Sequence, residues 1–318
     1  MSDPAAVAAE LLTVRDFLRY AVSRFNAAGI AYGHGTGGAL DEAAFLILET
    51  LRLPIDQLDP FLDARLTAPE RLRLAEVVEA RVATRKPAAY LTGRAYIQGV
   101  PFHVDERVIV PRSFIGELLF SDLIGGEGFA LVEDPDAVGR VLDLCTGSGC
   151  LAILAARVFP NARIDAVELS PDAAAVARRN IDESGEGGRI ELLQGDLFAP
   201  VAGRRYDLIL TNPPYVDAAA MAALPPEYRH EPAMALAGGD DGLDIVRRIL
   251  AAAPGHLTPD GGLLCEIGTG REILEAEHPH WPFFWPDTAE SAGEVFWLTA
   301  AAMRPAPAKA KRRTPRPA

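Results

Sequence analysis

Val141-Leu142-Asp143-Leu144-Cys145-Thr146-Gly147-Ser148-Gly149 is the stretch that decides the fold of this 318-residue chain. Its first four residues have the apolar character of a buried strand, and the two glycines predict a tight turn after it. Apolar residues then recur with helical spacing as far as Val158. The stretch therefore predicts a strand–turn–helix unit, in which the absence of a Cβ at Gly147 and Gly149 lets a ligand approach the backbone.

The same alternation of strand and helix continues through the C-terminal part of the chain. Strands are predicted at 163–168, 190–193, 206–210 and 261–267, and a helix that begins after Ser170 separates the first two. Such alternation is typical of an α/β fold with a doubly wound, mostly parallel sheet. Ligands of these folds bind at the carboxyl ends of the strands.

The N-terminal part has a different pattern. It shows three apolar stripes with helical spacing, the third with Thr67, Pro69 and Glu70 as start signals. Short extended runs at 102–104 and 108–110 then suggest a β-hairpin. The helical part is either a structural appendage or a module that recognises a partner. The predicted regions are a helical domain at 1–88, a β-hairpin linker at 89–112, an α/β domain at 113–303 and a disordered basic tail at 304–318.

The formal net charge of −13 is unevenly distributed along the chain. The tail carries six basic residues and no acidic one, so the rest of the chain has a net charge of −19. A body this acidic repels phosphate backbones and attracts basic partners. The tail, in contrast, suits a weak and nonspecific contact with RNA.

The three cysteines, Cys145, Cys150 and Cys265, have neither disulfide nor zinc spacing, so we predict no metal site. Cysteines without these spacings favour a reducing cytoplasm. The N-terminus lacks the pattern of a signal peptide. No apolar run approaches about 20 residues, the length of a membrane span, and we expect no membrane contact.

Two acidic residues follow predicted strands, where a ligand would bind. Glu168 ends the second strand, and a carboxylate there can accept hydrogen bonds from two ribose hydroxyls. The glycine turn nearby favours this role over that of a solvent-exposed strand end. Asp196 follows the third strand and suits the amino hydrogens of adenine, with Leu197 or Phe198 against the ring. A capping or turn role for Asp196 is the competing interpretation.

Asn212-Pro213-Pro214-Tyr215, directly after the fourth strand, is the most informative motif. Two consecutive prolines fix the backbone and remove N–H donors, which leaves the Asn212 side-chain oxygen and the Pro213 carbonyl as acceptors. Two fixed acceptors suit a planar nitrogen with two N–H bonds, as in an amide or an exocyclic amino group. Their hydrogen bonds strengthen as positive charge develops on that nitrogen, which stabilises the transition state. Tyr215 would pack over the planar group.

Asp-Leu-Cys-Thr-Gly-Ser-Gly-Cys at 143–150 and Thr-Asn-Pro-Pro-Tyr-Val at 211–216 together resemble the protein-(glutamine-N5) methyltransferases. These are a branch of the class I S-adenosylmethionine-dependent methyltransferases, and the resemblance covers most of the chain. It implies a seven-stranded sheet, S-adenosyl-L-methionine as the cofactor and methylation of a glutamine side chain. It also implies that the α/β domain is the methyltransferase domain.

The resemblance further implies roles for individual residues. The implied catalytic residues, which hold the glutamine amide, are Asn212, Pro213, Pro214 and Tyr215. The implied cofactor-binding residues are Asp143, Cys145, Thr146, Gly147, Ser148, Gly149, Glu168, Asp196, Leu197 and Asn212.

Two further segments distinguish branches of the family. Release-factor methyltransferases typically read Ile-Pro-Arg-Pro-Asp/Glu-Thr-Glu after the hairpin and have glycine at the position of Cys145. This chain reads Val-Pro-Arg-Ser-Phe-Ile-Gly-Glu at 110–117 and Glu-Tyr-Arg-His-Glu-Pro at 227–232. Both segments resemble the branch that methylates the third protein of the large ribosomal subunit, which implies a basic ribosomal protein as the substrate.

Three alternatives stay open at this point. One is glutamine methylation of a peptide chain release factor. Another is N-methylation of an exocyclic amino group in a nucleic acid, which meets the same two acceptors but usually requires a basic cleft. The third is a non-catalytic protein that binds S-adenosylmethionine, although cofactor binding alone would not need Asn-Pro-Pro-Tyr.

Overall fold

The computed structural model describes residues 2–289 and 291–303 of the chain, so the basic tail predicted at 304–318 lies outside the described residues. The α-helices are α1 (Pro4–Glu10), α2 (Val14–Ala28), α3 (Ala39–Leu51), α4 (Ala68–Thr84), α5 (Ala88–Thr92), α6 (Phe114–Leu119), α7 (Cys150–Val158), α8 (Pro171–Ser184), α9 (Ala218–Ala223), α10 (Asp244–His256) and α11 (Arg271–Glu277). The strands are β1 (Arg94–Ile97), β2 (Val100–His103), β3 (Arg140–Leu144), β4 (Arg163–Glu168), β5 (Ile190–Gln194), β6 (Tyr206–Thr211), β7 (Leu257–Glu266) and β8 (Val295–Thr299).

The main sheet has the order β5-β4-β3-β6-β7-β8, and only β8 runs antiparallel to its neighbour. The chain leaves β3 toward β4 on one side and later returns to β6 on the other, so the strand order reverses between β3 and β6. Leu144 at the end of β3 pairs with Val167 and Thr211. The next residues along the three strands therefore emerge side by side at the carboxyl edge, where such a reversal leaves a crevice for ligands.

The sheet differs from the prediction in its number of strands. Six strands form it within the described residues, and the seventh is reduced to a single antiparallel bridge between Phe284 and Trp297. Pro282 and Pro286 flank Phe284 and have no N–H to donate, so pairing cannot extend to either side. The prediction of seven strands was therefore wrong in count, while the doubly wound, mostly parallel architecture is confirmed.

The hairpin is present but shifted. It pairs β1 with β2 in antiparallel register, Arg94 opposite His103 and Ile97 opposite Val100. The run at 108–110 is not a strand, because the N–H of Val110 donates to the Glu231 carboxylate at 2.9 Å rather than to a neighbouring strand.

Helices cover both faces of the sheet and bury its apolar side chains. One apolar cluster packs α6 and α7 against one face, with Ile115, Leu151 and Leu154 almost completely buried. A second cluster packs α10 and α11 against the other face through residues such as Ile249 and Leu274. These two clusters pack the sheet between its helices and so fix the position of its carboxyl edge, where the site lies.

Helices α2 to α5, before the hairpin, contribute to a separate apolar cluster around Phe25 and Leu46. Helix α1 packs through Ala8 into a further cluster with Phe17 and Leu74. The predicted start of α4 is confirmed, because Thr67 and Glu70 make a reciprocal capping box in which the Thr67 N–H donates to the Glu70 carboxylate at 2.8 Å. None of the helices among the described residues is long and apolar enough to cross a membrane.

Candidate active site

A cavity of about 510 Å³ opens at the carboxyl edge of β3, β4 and β6. The predicted site residues that line it are Cys145, Gly147, Glu168, Asp196, Leu197, Asn212, Pro213, Pro214 and Tyr215. The predicted residues that do not line it are Asp143, Thr146, Ser148 and Gly149. The fold thus gathers residues from four separate loops around one space.

The turn after β3 contributes backbone to the cavity wall. Cys145 and Gly147 both have left-handed backbone conformations, with φ of 58° and 56°. For Cys145 this conformation is strained, and strain of this kind concentrates at functional sites. A Cβ added at Gly147 would meet no protein atom nearer than 3.9 Å, so the space beside it belongs to the cavity.

Gly149 has a different reason to lack a side chain. An added Cβ would lie 3.4 Å from the Cβ of Ala177 on α8, on a backbone with φ of 81°. The sequence predicts that a side chain at Gly149 would exclude the ligand. In the structure such a side chain would instead meet helix α8, because the space beside Gly149 is filled by the packing of that helix.

Asp143 lies beneath the turn and braces it. Its Oδ2 accepts from the Thr146 hydroxyl at 2.5 Å and from the N–H of Ala152 at 3.0 Å, while its buried Oδ1 has no partner. Burial raises the pKa of this carboxyl to about 7. Asp143 and Thr146 thus shape the turn from below rather than facing the cavity.

Glu168 is the carboxylate at the end of β4, and only 8% of its surface is exposed. Its Oε2 accepts from the N–H of Gly147 at 2.9 Å, and its Oε1 accepts from the N–H of Ser170 at 2.8 Å. Burial raises the pKa of Glu168 above its usual range. Each oxygen can accept a further hydrogen bond, so the side chain can bind two hydroxyls of a ligand.

The far end of the cavity is formed by Asp196, Leu197 and Arg248. Arg248 on α10 donates to the Oδ2 of Asp196 at 2.6 Å, and both side chains are about half exposed. Phe198, the second candidate for a ring contact, is buried against His256 with ring centroids 4.5 Å apart and does not line the cavity. Only Leu197 is therefore placed to contact a ligand ring from this loop.

Asn212 follows β6 and lines the cavity. A hydrogen bond to the backbone of Arg112 determines the orientation of its side chain. Its Nδ2 donates to the carbonyl oxygen of Arg112 at 3.1 Å. Because a carbonyl oxygen can only accept, the amide nitrogen must point toward Arg112. The Asn212 oxygen is thereby left available as an acceptor beside Pro213, which has no N–H.

Tyr215 is anchored by a second buried carboxylate. Its hydroxyl donates to the Oε1 of Glu266 at 2.9 Å, while the Oε2 of Glu266 accepts from the Ser113 hydroxyl at 2.7 Å. Burial, together with Glu266, raises the pKa of Tyr215 well above its usual range. Burial raises the pKa of Glu266 itself to about 7. The Tyr215 ring is also close to Gly268, where an added Cβ would come within 2.7 Å of it.

Glu231 holds Arg112 in a bidentate ion pair, with distances of 2.7 and 2.8 Å. Burial alone would raise the pKa of Glu231, but Arg112 and His34 together lower it to about 2. The carboxylate is therefore charged at all physiological pH values.

Three residues around the site were missed by sequence reasoning: Glu231, Glu266 and Arg248. Glu266 carried a usable signal, because an acidic residue at the end of the apolar run Leu263-Leu264-Cys265 needs buried partners. Glu231 belongs to the segment at 227–232, which the sequence analysis used only to distinguish branches of the family, and its contact with Arg112 was not predicted. Nothing in the sequence around Arg248 indicates its contact with Asp196.

The sheet, the glycine turn and the cavity define a class I methyltransferase, and the model of the methyltransferase small domain family matches residues 129–224. A ribosomal protein uL3 glutamine methyltransferase from Bradyrhizobium diazoefficiens is 60% identical over 293 residues, which is 92% of this chain and 92% of that protein. One from Bordetella pertussis is 57% identical over 291 residues, covering 91% of this chain and 96% of that protein. The chain belongs to the family of ribosomal protein uL3 glutamine methyltransferases.

Among solved structures, a methyltransferase from Pyrococcus furiosus is similar to 70% of this chain and 97% of that one, with a TM-score of 0.47 and 17% identity. Family membership confirms the predicted resemblance and the predicted branch. The chain is therefore an enzyme, and its cofactor is S-adenosylmethionine.

Proposed function

We propose that this enzyme methylates the side-chain amide nitrogen of a glutamine in ribosomal protein uL3. The observation that carries the proposal is the orientation of Asn212, whose Nδ2 donates to the Arg112 carbonyl and whose oxygen is left to accept from the substrate. The names of the relatives from Bradyrhizobium diazoefficiens and Bordetella pertussis support uL3 as the substrate protein.

The cavity residues suit the cofactor. The open space beside Gly147 lets backbone approach it, and the carboxylate of Glu168 has capacity for two ribose hydroxyls. Leu197 supplies an apolar contact for the adenine ring, and Asp196 an acceptor for its amino group. When bound, S-adenosylmethionine supplies an electrophilic methyl group on a sulfonium.

Asn212 and Pro213 make the glutamine amide reactive by accepting hydrogen bonds from both of its N–H groups. The lone pair of a free amide nitrogen is delocalised into the carbonyl, so the group is a poor nucleophile. Two preorganised acceptors bind the nitrogen more strongly as it gains positive charge, and this difference lowers the barrier. The nitrogen gains the methyl group, keeps one of its hydrogens and releases the other to water as a proton, while the sulfur of the methyl donor is left as a neutral thioether. Tyr215, anchored by Glu266, packs over the plane of the amide.

The domains and the charge fit a protein substrate. We propose that the helical domain at 1–88 recognises the substrate and that the domain at 113–303 carries out the reaction, with 89–112 as the linker between them. The acidic body suits a basic ribosomal protein, and the tail at 304–318 suits a weak contact with ribosomal RNA. A ribosomal substrate supports the proposal that the reaction takes place in the cytoplasm.

Methyl transfer from radiolabelled S-adenosylmethionine tests the substrate directly. The purified enzyme is offered uL3, a release factor and a nucleic acid in parallel reactions. We expect label in uL3, recovered as N5-methylglutamine after digestion. Label only in the release factor or only in the nucleic acid would show that the proposed substrate is wrong.

A further inference from the structure

Residues 110–113 form a short segment, here called the strap, that two buried carboxylates hold against the Asn-Pro-Pro-Tyr motif. Glu231 accepts from the N–H of Val110 at 2.9 Å and from both outer nitrogens of the Arg112 guanidinium. Glu266 accepts from the hydroxyl of Ser113 at 2.7 Å. Hydrogen bonds and an ion pair therefore hold the strap at its start, its middle and its end.

The strap reaches the proposed catalytic residue through its backbone. The carbonyl oxygen of Arg112 accepts from Nδ2 of Asn212 at 3.1 Å, and the same residue carries the guanidinium that Glu231 binds. The position of this carbonyl therefore depends on the ion pair at the other end of Arg112. Without a fixed carbonyl, the Asn212 amide could rotate and present its donor rather than its acceptor to the substrate.

Glu231 is enclosed on its remaining side by the helical domain. His34 lies between α2 and α3, with its Nε2 3.6 Å from Oε2 of Glu231. The His34 ring contacts the ring of Tyr228, with centroids 4.2 Å apart. The guanidinium of Arg112 also lies over the Tyr228 ring, 5.5 Å from its centroid. Since Glu231 is only 5% exposed, water cannot readily replace a lost partner.

We infer that Glu231 is a positioning residue, which acts through Arg112 to hold the Asn212 side chain in the orientation that accepts an amide hydrogen. This inference rests on the proposed function of Asn212. Arg112 makes both contacts, since its guanidinium forms the charged, bidentate pair with Glu231 and its carbonyl oxygen accepts the hydrogen bond from Asn212. It therefore connects the buried carboxylate to the side chain that binds the reacting amide. A misplacement of about 1 Å in such a group can lower the rate roughly 10²-fold.

The test is a double-mutant cycle between Glu231 and Asn212, with turnover measured by radiolabelled methyl transfer at saturating uL3 and cofactor. We expect Glu231→Gln to lower kcat by roughly 10²-fold in the natural background. In the Asn212→Ala background, the same substitution should change kcat by no more than about 2-fold, because the group through which it acts is already gone. Calorimetry should give a similar Kd for S-adenosylmethionine in every variant.

A matched control separates positioning from general loss of stability. Glu79 is also a buried carboxylate, 4% exposed, and it binds Arg24 at 2.7 Å within the helical domain. Glu79→Gln should lower the melting temperature while kcat stays within about 2-fold of the natural enzyme. If Glu231→Gln fails to fold, Arg112→Lys takes its place in the cycle, because lysine keeps the charge but cannot form the bidentate pair.

Two results would overturn the inference. One is an equal fold-loss for Glu231→Gln with and without Asn212, which would mean that the two residues act independently. The other is an unchanged kcat for Glu231→Gln in the natural background. Failure of the proposed function would look different, since Asn212→Ala alone would then retain near-normal kcat.

Discussion

At the scale of the residue, Asn212 shows how a hydrogen bond on one side of a side chain determines the chemistry on the other. Its Nδ2 donates to the Arg112 carbonyl, which leaves the oxygen available to accept from a substrate beside Pro213. Such an acceptor suits the N–H groups of glutamine and repels the oxygens of a glutamate carboxylate.

Asn212→Ala should therefore lower kcat by roughly 10²–10³-fold, by analogy with removing one preorganised donor from an oxyanion hole. The Kd for S-adenosylmethionine should change far less, because Gly147 and Glu168 remain. A uL3 substrate with glutamate in place of the target glutamine should react at least roughly 10⁴-fold more slowly than the natural substrate. The measurement is steady-state methyl transfer, and near-normal kcat in Asn212→Ala would show that the proposed role is wrong.

The two glycines of the turn provide a matched pair for the cofactor site. Both have positive φ, so a side chain strains the backbone similarly at either position. Gly147→Val should abolish measurable S-adenosylmethionine binding in calorimetry while the protein stays folded, because its side chain enters the cavity. Gly149→Val should mainly lower the melting temperature, because its side chain meets Ala177 on α8. If folded Gly147→Val binds S-adenosylmethionine with unchanged affinity, the turn is not part of the cofactor site.

At the scale of the element, the strap connects the ends of β6 and β7 through buried carboxyls. Burial raises the pKa of Glu266 from 4.5 to about 7. A carboxyl with a raised folded pKa binds its proton more tightly in the folded protein than in the unfolded chain. Its contribution to stability is complete below about pH 4.5 and is lost as the pH rises through about 7.

The free energy of unfolding should therefore fall between pH 5 and pH 8, with Glu266 contributing on the order of 3 kcal/mol to the fall. Glu266→Gln stays neutral throughout this range, so its unfolding free energy in denaturant titrations should fall less. Part of the slope should persist, because burial also raises the pKa of Asp143 to about 7. Glu79→Gln is the control, since the pKa of Glu79 is lowered and its titration lies below this range. Equal slopes in the natural protein and Glu266→Gln would contradict the prediction.

At the scale of the whole molecule, the net charge of −13 acts on encounters with partners rather than on the fold. A basic substrate protein is attracted over distances of about one Debye length, which shrinks from about 10 Å at 0.1 M salt to about 3 Å at 1 M. The attraction should appear mainly in the association rate.

Raising the salt concentration through this range should slow the association of the enzyme with uL3, as measured by stopped-flow fluorescence. Deleting residues 304–318 removes six positive charges and leaves −19, so the truncated enzyme should associate faster at low salt and lose this advantage at high salt. An association rate that does not respond to salt would argue against electrostatic steering.

The alternating strands and helices, the glycine turn and Asn-Pro-Pro-Tyr could all be read from the sequence. Each is a local pattern, because apolar spacing, absent Cβ atoms and missing N–H groups act within a few residues. The reduced seventh strand carried a local signal as well, in the two prolines that flank Phe284, and the resemblance to a seven-stranded family hid it.

Only the tertiary structure decided how these parts are held. Glu231 lies 119 residues from Arg112 along the chain, and Glu266 lies 51 residues from Tyr215, yet each pair is in direct contact. The sequence also could not tell that Leu197 faces the cavity while Phe198 packs into the core. The partners of a buried carboxylate are the donors that tertiary packing brings within hydrogen-bond distance of it. Residue type and spacing therefore determined which chemistry this protein carries, and packing decided which side chains orient it.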